Sequence, residues 1–156
     1  MENPIAEFYT AFQDLESEKM VACYHDDILF VDPAFGALKG DRAKDMWRML
    51  CDSQKGKDFK VVAKHIQLSQ DRGSATWEAH YTFSGTGRRV HNIVKAEFEL
   101  LDGKILKHTD SFDLYAWARQ AMGMKGLLFG WTPVFSYKLK ERTNTLLTRY
   151  QDSHRA

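Results

Sequence analysis

The chain has 156 residues, which is enough for one domain spanning 1–156 with a sizeable hydrophobic core. Its 22 lysine and arginine residues nearly balance its 21 aspartate and glutamate residues, so we expect neither a nucleic-acid partner nor a membrane partner. Cys23 and Cys51 lack metal-ligand spacing, and the amino terminus does not resemble a secretion signal, so we expect buried free thiols and a cytoplasmic protein.

Helical spacing dominates the first third of the chain. Apolar side chains recur at that spacing over residues 4–15, and a second short helix is predicted over Ser17–Tyr24. The β-rich run at residues 28–32 ends where a proline follows. Asp41 is predicted to cap a third helix over residues 42–53. Three helices and one short strand are therefore expected before residue 54.

Four consecutive strands separated by tight turns predict an antiparallel meander over residues 59–69, 74–84, 88–101 and 104–112. Alternation of polar and apolar side chains assigns the faces of these strands. Asn92 falls on the apolar face of its strand and His91 on the charged face. On the last strand Leu106, His108 and Asp110 are expected to point inward. Polar side chains on this inward face are the main candidates for function.

The remaining residues, 114–156, predict a helical extension. Asp113 can cap a helix over residues 114–122, and a final helix is expected over residues 134–150. The apolar segment 126–135 is about half the ~20 residues that a membrane span needs. We hypothesise that this segment covers a cavity or packs on a dimer partner.

The order of these elements resembles the nuclear transport factor two-like superfamily, which includes SnoaL-like polyketide cyclases, ketosteroid isomerase, limonene epoxide hydrolase and scytalone dehydratase. The segments that carry the resemblance are YTAF, DDILFVDPAFG, LKG before MWRML, and DGKI before HTDSFD, and they lie within residues 4–113. The resemblance implies an α+β fold, a cone-shaped barrel of a curved, mainly antiparallel sheet packed on three N-terminal helices. It also implies a small hydrophobic ligand inside the cone and, commonly, a homodimer.

Asp32 is the first candidate for chemistry because it ends an apolar strand. Burial in an apolar wall raises the pKa of a carboxyl group and makes it usable as a general base. Its place in DDILFVDP resembles that of the proton-shuttling aspartate of ketosteroid isomerase, a system that already serves as a standard example of pKa tuning. The alternative interpretation is that Asp32 only caps the turn through Pro33.

Tyr9, in FYTAF, resembles the isomerase tyrosine that donates a hydrogen bond to a developing enolate. The alternative is a core tyrosine whose hydroxyl lies at the rim of the core. A second oxyanion donor of the isomerases would fall near Ala96, where the apolar face has no carboxyl group. That difference argues against steroid isomerisation.

His108 and Asp110 share the inward face of the last strand, about 7 Å apart along it. Together they could hold a water molecule or a substrate oxygen and pass a proton. SnoaL-like cyclases have an acidic residue in a similar place. The alternative is a buried polar pair that only fixes strand packing.

Apolar side chains are expected to line the pocket, although core packing explains them equally well. The expected lining residues are Phe12, Tyr24, Phe30, Trp47, Trp77, Tyr81, Asn92 and Phe112. No metal is expected, because His65, His80, His91 and His108 lie on different strands or faces without paired spacing. No phosphate-binding or dinucleotide motif occurs, so no cofactor is expected.

Two functional classes remain open at this stage. The first is a small-molecule-binding enzyme that uses Asp/His acid–base chemistry on a polyketide-, steroid- or terpenoid-like molecule, as an isomerase, cyclase, dehydratase or hydrolase. The second is a non-catalytic ligand-binding or dimerisation module of the same fold. An open cone with carboxylates favours the first class, and a cone filled by side chains favours the second.

Overall fold

Three amino-terminal helices form one layer of the fold in the computed structural model, which describes residues 2–155. They are α1 (Pro4–Gln13), α2 (Ser17–Ala22) and α3 (Asp41–Gln54). The amphipathic pattern of α1 places Ile5, Phe8 and Phe12 in the core, where each is completely buried. The predicted first helix is therefore confirmed.

A six-stranded curved sheet forms the other layer, in the order β2-β1-β6-β5-β4-β3. The strands are β1 (Tyr24–Asp32), β2 (Gly36–Lys39), β3 (Lys60–Ser69), β4 (Arg72–Phe83), β5 (Arg88–Leu101) and β6 (Lys104–Ser111). Strands β3 to β6 form the predicted antiparallel meander, and only β1 with β6 is parallel. The sheet curves around α1 without closing on itself, so the predicted cone-shaped α+β fold is confirmed.

The predicted end of the second helix is wrong, because α2 ends at Ala22 and Tyr24 begins β1. Tyr24 lies opposite Ile105 of β6, and the carbonyl group of Cys23 accepts a hydrogen bond from the amide of Ile105 at 2.9 Å. Pairing with β6 therefore overrides the helical spacing. This change turns the Tyr24 side chain into the core beneath the sheet.

The predicted cap of the third helix is also wrong by one residue. Asp41 is the first residue of α3, and Gly40 takes the capping position with a φ of 56°. A glycine adopts this left-handed backbone conformation without the strain that a Cβ would bring. Asp41 instead places its negative charge in the first turn, where the helix dipole favours it.

Leu106, predicted to point inward, lies at an irregular position of the ladder between β5 and β6. Leu100 pairs with Ile105, whereas Glu99 pairs with Lys107, so Leu106 falls at a bulge. Ile105 is completely buried and Leu106 only partly. His108 and Asp110 lie beyond this bulge and face the core, as predicted.

Three helices follow the sheet: α4 (Leu114–Met122), α5 (Met124–Phe129) and α6 (Pro133–Ser153). The side chain of Asp113 caps α4 as predicted, accepting from the amide of Ala116 at 3.0 Å. Helix α5 was not predicted. Helix α6 packs on α3 and buries Leu147 completely. No helix among residues 2–155 is both long enough and apolar enough to cross a membrane.

Candidate functional site

A cavity of about 760 Å³ opens at the wide end of the cone, between the concave face of the sheet and helices α3, α4 and α6. Five of the eight predicted lining residues border it, namely Phe12, Trp77, Tyr81, Asn92 and Phe112. Asp32 borders the same space from the end of β1. A carboxyl group therefore lies in the wall of a largely apolar cavity.

The other three predicted lining residues do not border this cavity. Tyr24, Phe30 and Trp47 pack in the core beneath it, with at most 3% of each exposed. The ring centroids of Phe30 and Trp47 are 5.4 Å apart, and the indole of Trp47 stacks on the imidazole of His108. Side chains therefore fill the core beneath the cavity.

The carboxyl group of Asp32 closes a turn and borders the cavity. Its Oδ1 accepts from the amides of Ala34 and Phe35, at 3.1 and 2.7 Å, which closes the turn through Pro33. Burial raises the pKa of Asp32 to about 7, against the lowering effect of these two amides. Among residues 2–155, no protein group donates to its Oδ2. Asp32 thus caps the turn, and its role as a base stays a prediction.

His108 and Asp110 form a hydrogen-bonded pair beneath the cavity. Nε2 of His108 lies 2.8 Å from Oδ1 of Asp110, and the indole nitrogen of Trp77 donates to the same oxygen at 3.4 Å. Both partners are nearly completely buried, at 0% and 4% exposure. Because Trp77 borders the cavity, the pair is one side chain away from the open space.

The other nitrogen of His108 continues the chain toward α3. The hydroxyl of Tyr24 lies 2.7 Å from Nδ1, and the indole nitrogen of Trp47 donates to the Tyr24 oxygen at 2.8 Å. A His108 tautomer with its proton on Nε2 satisfies every contact, because Tyr24 then donates to Nδ1 and His108 to Asp110. We call this set, Trp47–Tyr24–His108–Asp110, the buried polar chain.

Asp32 and Asp110 come from neighbouring parallel strands. Phe30 pairs with His108 and Val31 with Thr109, so the same register places Asp32 beside Asp110. Neighbouring strands lie about 4.8 Å apart. The negative charge of Asp110 adds to burial in raising the pKa of Asp32. The two predicted carboxyl groups therefore act on each other electrostatically.

Tyr9 lies on α1 below the same cavity wall, with its ring centroid 6.4 Å from that of Trp77. Its hydroxyl is buried, and no hydrogen-bond partner for it occurs in the part of the chain that the structure describes. Burial and the nearby charge of Asp110 raise its pKa well above the ordinary value. A buried hydroxyl without a partner is costly. Tyr9 is not among the residues that border the cavity, so its proposed contact with a ligand stays a prediction.

The carboxyl-terminal helices supply cavity residues that sequence reasoning missed. Trp117 of α4 borders the cavity and donates from its indole nitrogen to the Tyr81 hydroxyl at 2.8 Å. Arg149 and Tyr150 of α6 border it near the mouth. Trp117 is the one with a sequence signal, since it lies on the apolar side of an amphipathic helix. The spacing of apolar residues in α6 does not indicate which of its side chains border the cavity.

On the opposite, outer face of the sheet, Glu78, His80 and His91 come close together. These three side chains could hold a cation. The sequence prediction that the histidines lie too far apart for a metal did not include this pairing across β4 and β5. The cavity side differs, since its polar groups are the carboxyl of Asp32, several hydroxyls, two amides and the guanidinium of Arg149, with the His108–Asp110 pair beneath them. These groups can donate, accept and transfer protons next to an apolar space.

This fold and this cavity define a nuclear transport factor two-like architecture. A family model described as the SnoaL-like domain matches residues 5–108, more than half of the chain. The chain therefore belongs to the SnoaL-like domain family.

Solved structures of the same architecture are similar in fold. TerC, co-crystallised with polyporic acid, is 18% identical, with a TM-score of 0.63 over 75% of this chain and 94% of TerC. An LEH-like epoxide hydrolase of M. tuberculosis is 24% identical, with a TM-score of 0.59 over 81% of this chain and 88% of that chain. A nuclear transport factor two-like protein of unknown function from Burkholderia pseudomallei is 15% identical, with a TM-score of 0.64 over 77% and 95%. A comparison with curated proteins found no match.

Proposed function

We propose that this protein is a cofactor-independent acid–base enzyme that acts on a small hydrophobic molecule bound in the cavity. The observation that carries the proposal is the carboxyl group of Asp32, which borders an apolar cavity and has a pKa raised to about 7 by burial. A group with this pKa exchanges protons readily near neutral pH. Its unpaired Oδ2 is the atom that would accept or deliver the proton.

Asp110, His108 and Tyr9 complete the proposed machinery. Asp110 lies beside Asp32 in the strand register, and His108 holds its Oδ1 at 2.8 Å, which leaves Oδ2 to take part in proton transfer. The unpartnered hydroxyl of Tyr9 would donate to an oxygen that becomes negative during the reaction. Tyr24 and Trp47 would act only through His108, as positioning residues.

The proposed substrate is a cyclic hydrophobic molecule of polyketide, steroid or terpenoid type. Aromatic side chains dominate the walls, and about 760 Å³ is a typical size for a pocket that encloses a molecule of this kind. TerC with polyporic acid and the LEH-like epoxide hydrolase have the same fold, which supports isomerase, cyclase, dehydratase or hydrolase chemistry. The missing carboxyl group at Ala96 makes steroid isomerisation the least favoured member of this set.

The direct test is an NMR titration of the side-chain carboxyl carbons of Asp32 and Asp110, with Asp32→Asn and Asp110→Asn to assign the signals. We expect Asp32 to titrate near pH 7, because burial outweighs the two amides that donate to it. An Asp32 carboxyl that titrates near 4 would rule out its role as a base at neutral pH.

The second candidate is a non-catalytic binding module of the same fold. It is favoured by the buried polar chain, whose described hydrogen bonds are complete without a ligand. Two measurements distinguish the candidates. Binding of anilinonaphthalene sulfonate reports the apolar cavity, and turnover of a cyclic epoxide and of a cyclic β,γ-unsaturated ketone reports catalysis. The enzyme proposal expects Asp32→Asn to keep probe binding and to lose at least about 100-fold in turnover. Probe binding without turnover of either compound by the unmodified protein would favour the module.

We also propose that the protein is a cytoplasmic homodimer. Both cysteines, Cys23 and Cys51, are free and buried, which suits a reducing compartment. An apolar surface on and after α5 is large enough to need a cover. Its exposed side chains, here called the α5 patch, are Met124, Leu127, Leu128, Phe129, Trp131, Val134 and Tyr137. None of these side chains borders the cavity. We therefore propose that the α5 patch packs on a second copy of the chain and does not cover the cavity.

A further inference from the structure

The outer face of the sheet carries a second group of chemistry-bearing side chains. His80 of β4 and His91 of β5 are direct partners across the antiparallel ladder, and Glu78 lies two residues before His80 on the same face. Side chains two apart on a strand point to the same side, and directly opposed residues have Cβ atoms about 5 Å apart. The register therefore brings two imidazoles and one carboxylate together.

The ligand atoms of these three residues already lie within 4.8 Å of one another. Nε2 of His91 is 2.7 Å from Oε1 of Glu78, and the two imidazole rings stack with centroids 4.0 Å apart. A tetrahedral metal with ~2.0 Å bonds holds its ligand atoms roughly 3.3 Å apart. Small rotations about the broad χ2 torsion of the histidines are enough to reach that spacing.

The site is accessible to a cation from solvent. Glu78 is partly buried, with 17% of its side chain exposed, whereas 44% of the His91 side chain is exposed. Lys64 competes for the same carboxylate, since its Nζ lies 2.8 Å from Oε2 of Glu78. The lysine side chain is 53% exposed and can move into water when a metal takes the carboxylate.

We propose that Glu78, His80 and His91 bind a divalent transition-metal ion of the zinc type. Two imidazole nitrogens and one carboxylate oxygen are a donor set that Zn²⁺ prefers, with the fourth position left to water. The metal would join β4 to β5 directly behind Trp77, Ala79 and Asn92, which border the cavity on the other face. It would therefore brace one wall of the cavity from outside, independently of the proposed acid–base function.

The test is a titration of the untagged, chelator-treated protein with ZnCl₂ by isothermal calorimetry and with CoCl₂ by visible absorption. We expect one metal ion per chain. The Co²⁺-loaded protein should show the visible d–d absorption bands of a four-coordinate Co²⁺ ion. Mutation of a residue that only hydrogen-bonds to a metal ligand usually lowers the metal affinity about 10–100-fold, and loss of a ligand itself should cost at least as much. His80→Ala and His91→Ala, which remove ligands, should therefore each weaken Zn²⁺ binding by at least about tenfold.

His65→Asn is the matched control, because His65 is an exposed histidine of β3 outside the cluster, and it should leave the affinity unchanged. Circular dichroism without metal verifies that each variant is folded. Ring-nitrogen NMR signals of His80 and His91 should shift together on addition of one equivalent of Zn²⁺. Zn²⁺ binding that is absent, or equally strong in the His80→Ala/His91→Ala double variant, would overturn the proposal.

Discussion

The carboxyl group of Asp32 lies between a turn and the cavity. Its Oδ1 closes the turn by accepting two backbone amides, and no protein group among residues 2–155 donates to its Oδ2. The turn holds the carboxyl group at the end of β1, where burial raises its pKa. The contacts that fix the turn therefore also fix the carboxyl group whose chemistry we propose.

The raised pKa of Asp32 predicts a specific dependence of stability on pH. The folded state holds this proton up to about pH 7, whereas the unfolded chain releases it near 3.9. The free energy of unfolding should therefore fall as the pH rises from about 4 to 7. Asp32→Asn keeps the turn acceptor but cannot ionise, so it should match the unmodified protein near pH 4 and exceed it at pH 8, by up to about 4 kcal/mol.

Urea unfolding at pH 4, 6 and 8 measures this difference. A difference between Asp32→Asn and the unmodified protein that stays constant with pH would contradict the raised pKa.

The tyrosines of the core predict opposite responses to loss of a hydroxyl group. Tyr24→Phe leaves both the indole nitrogen of Trp47 and Nδ1 of His108 without their partner, at a cost of about 2–4 kcal/mol. Tyr9→Phe removes a buried hydroxyl that has no described partner, so stability should change by less than about 0.5 kcal/mol or increase. Urea unfolding of the two variants in parallel tests this; equal losses would show that the Tyr9 hydroxyl is satisfied in solution.

Helix α5 depends on a close backbone contact with α4. Gly126 packs against the carbonyl group of Ala118 on α4, and a Cβ at this position would overlap that oxygen. Gly130 makes a second close approach, because its Cβ would lie 2.7 Å from Cβ of Ala118. Two glycines thus let α5 lie directly on α4 while its apolar side chains stay outside.

Gly126→Ala should therefore destabilise the protein although alanine favours helices. We expect a loss of about 1–3 kcal/mol in the free energy of unfolding, because overpacking pushes α5 away from α4. Lys125→Ala is the matched control on the same short helix, where the exposed side chain makes the change nearly neutral. Equal unfolding free energies for Gly126→Ala and the unmodified protein would contradict this close contact.

Sequence patterns predicted most helices and strands correctly. They failed where contact with another element of the fold decides the local structure. The meander and the inward faces of His108 and Asp110 follow from simple alternation. Tyr24 was misplaced because its helical spacing competes with pairing to β6, which no local pattern reveals. Helix α5 was missed because its glycines are unfavourable for a helix until α4 provides the contact.

The sequence indicated which polar side chains turn inward, and not their hydrogen bonds. His108 and Asp110 are buried as predicted and Asp32 borders the cavity, whereas the partners of Asp32 Oδ1 and of both nitrogens of His108 follow only from the structure. The facing histidines of β4 and β5 illustrate the same limit. A shift of one residue in register would have separated them, and register depends on the whole ladder.

For the whole molecule, the α5 patch predicts self-association. Light scattering during gel filtration should give twice the chain mass at micromolar concentration, since a second copy can cover the exposed apolar side chains. Leu128→Glu places a charge in the patch and should give the single-chain mass, whereas Lys125→Glu, beside the patch on α5, should not. A single-chain mass for the unmodified protein at all concentrations would rule out the homodimer.

The central position of β6 has a consequence for the time course of folding. Strand β6 inserts between β1 and β5, so the pairing that joins Asp32 to Asp110 links the beginning of the sheet to its last strand. Such non-local pairing is slow, and the amino-terminal helices and β1 must wait for it during synthesis. Because Asp32 acquires its raised pKa only in that finished environment, we expect the last folding step near pH 5.5 to be accompanied by uptake of a proton from solvent.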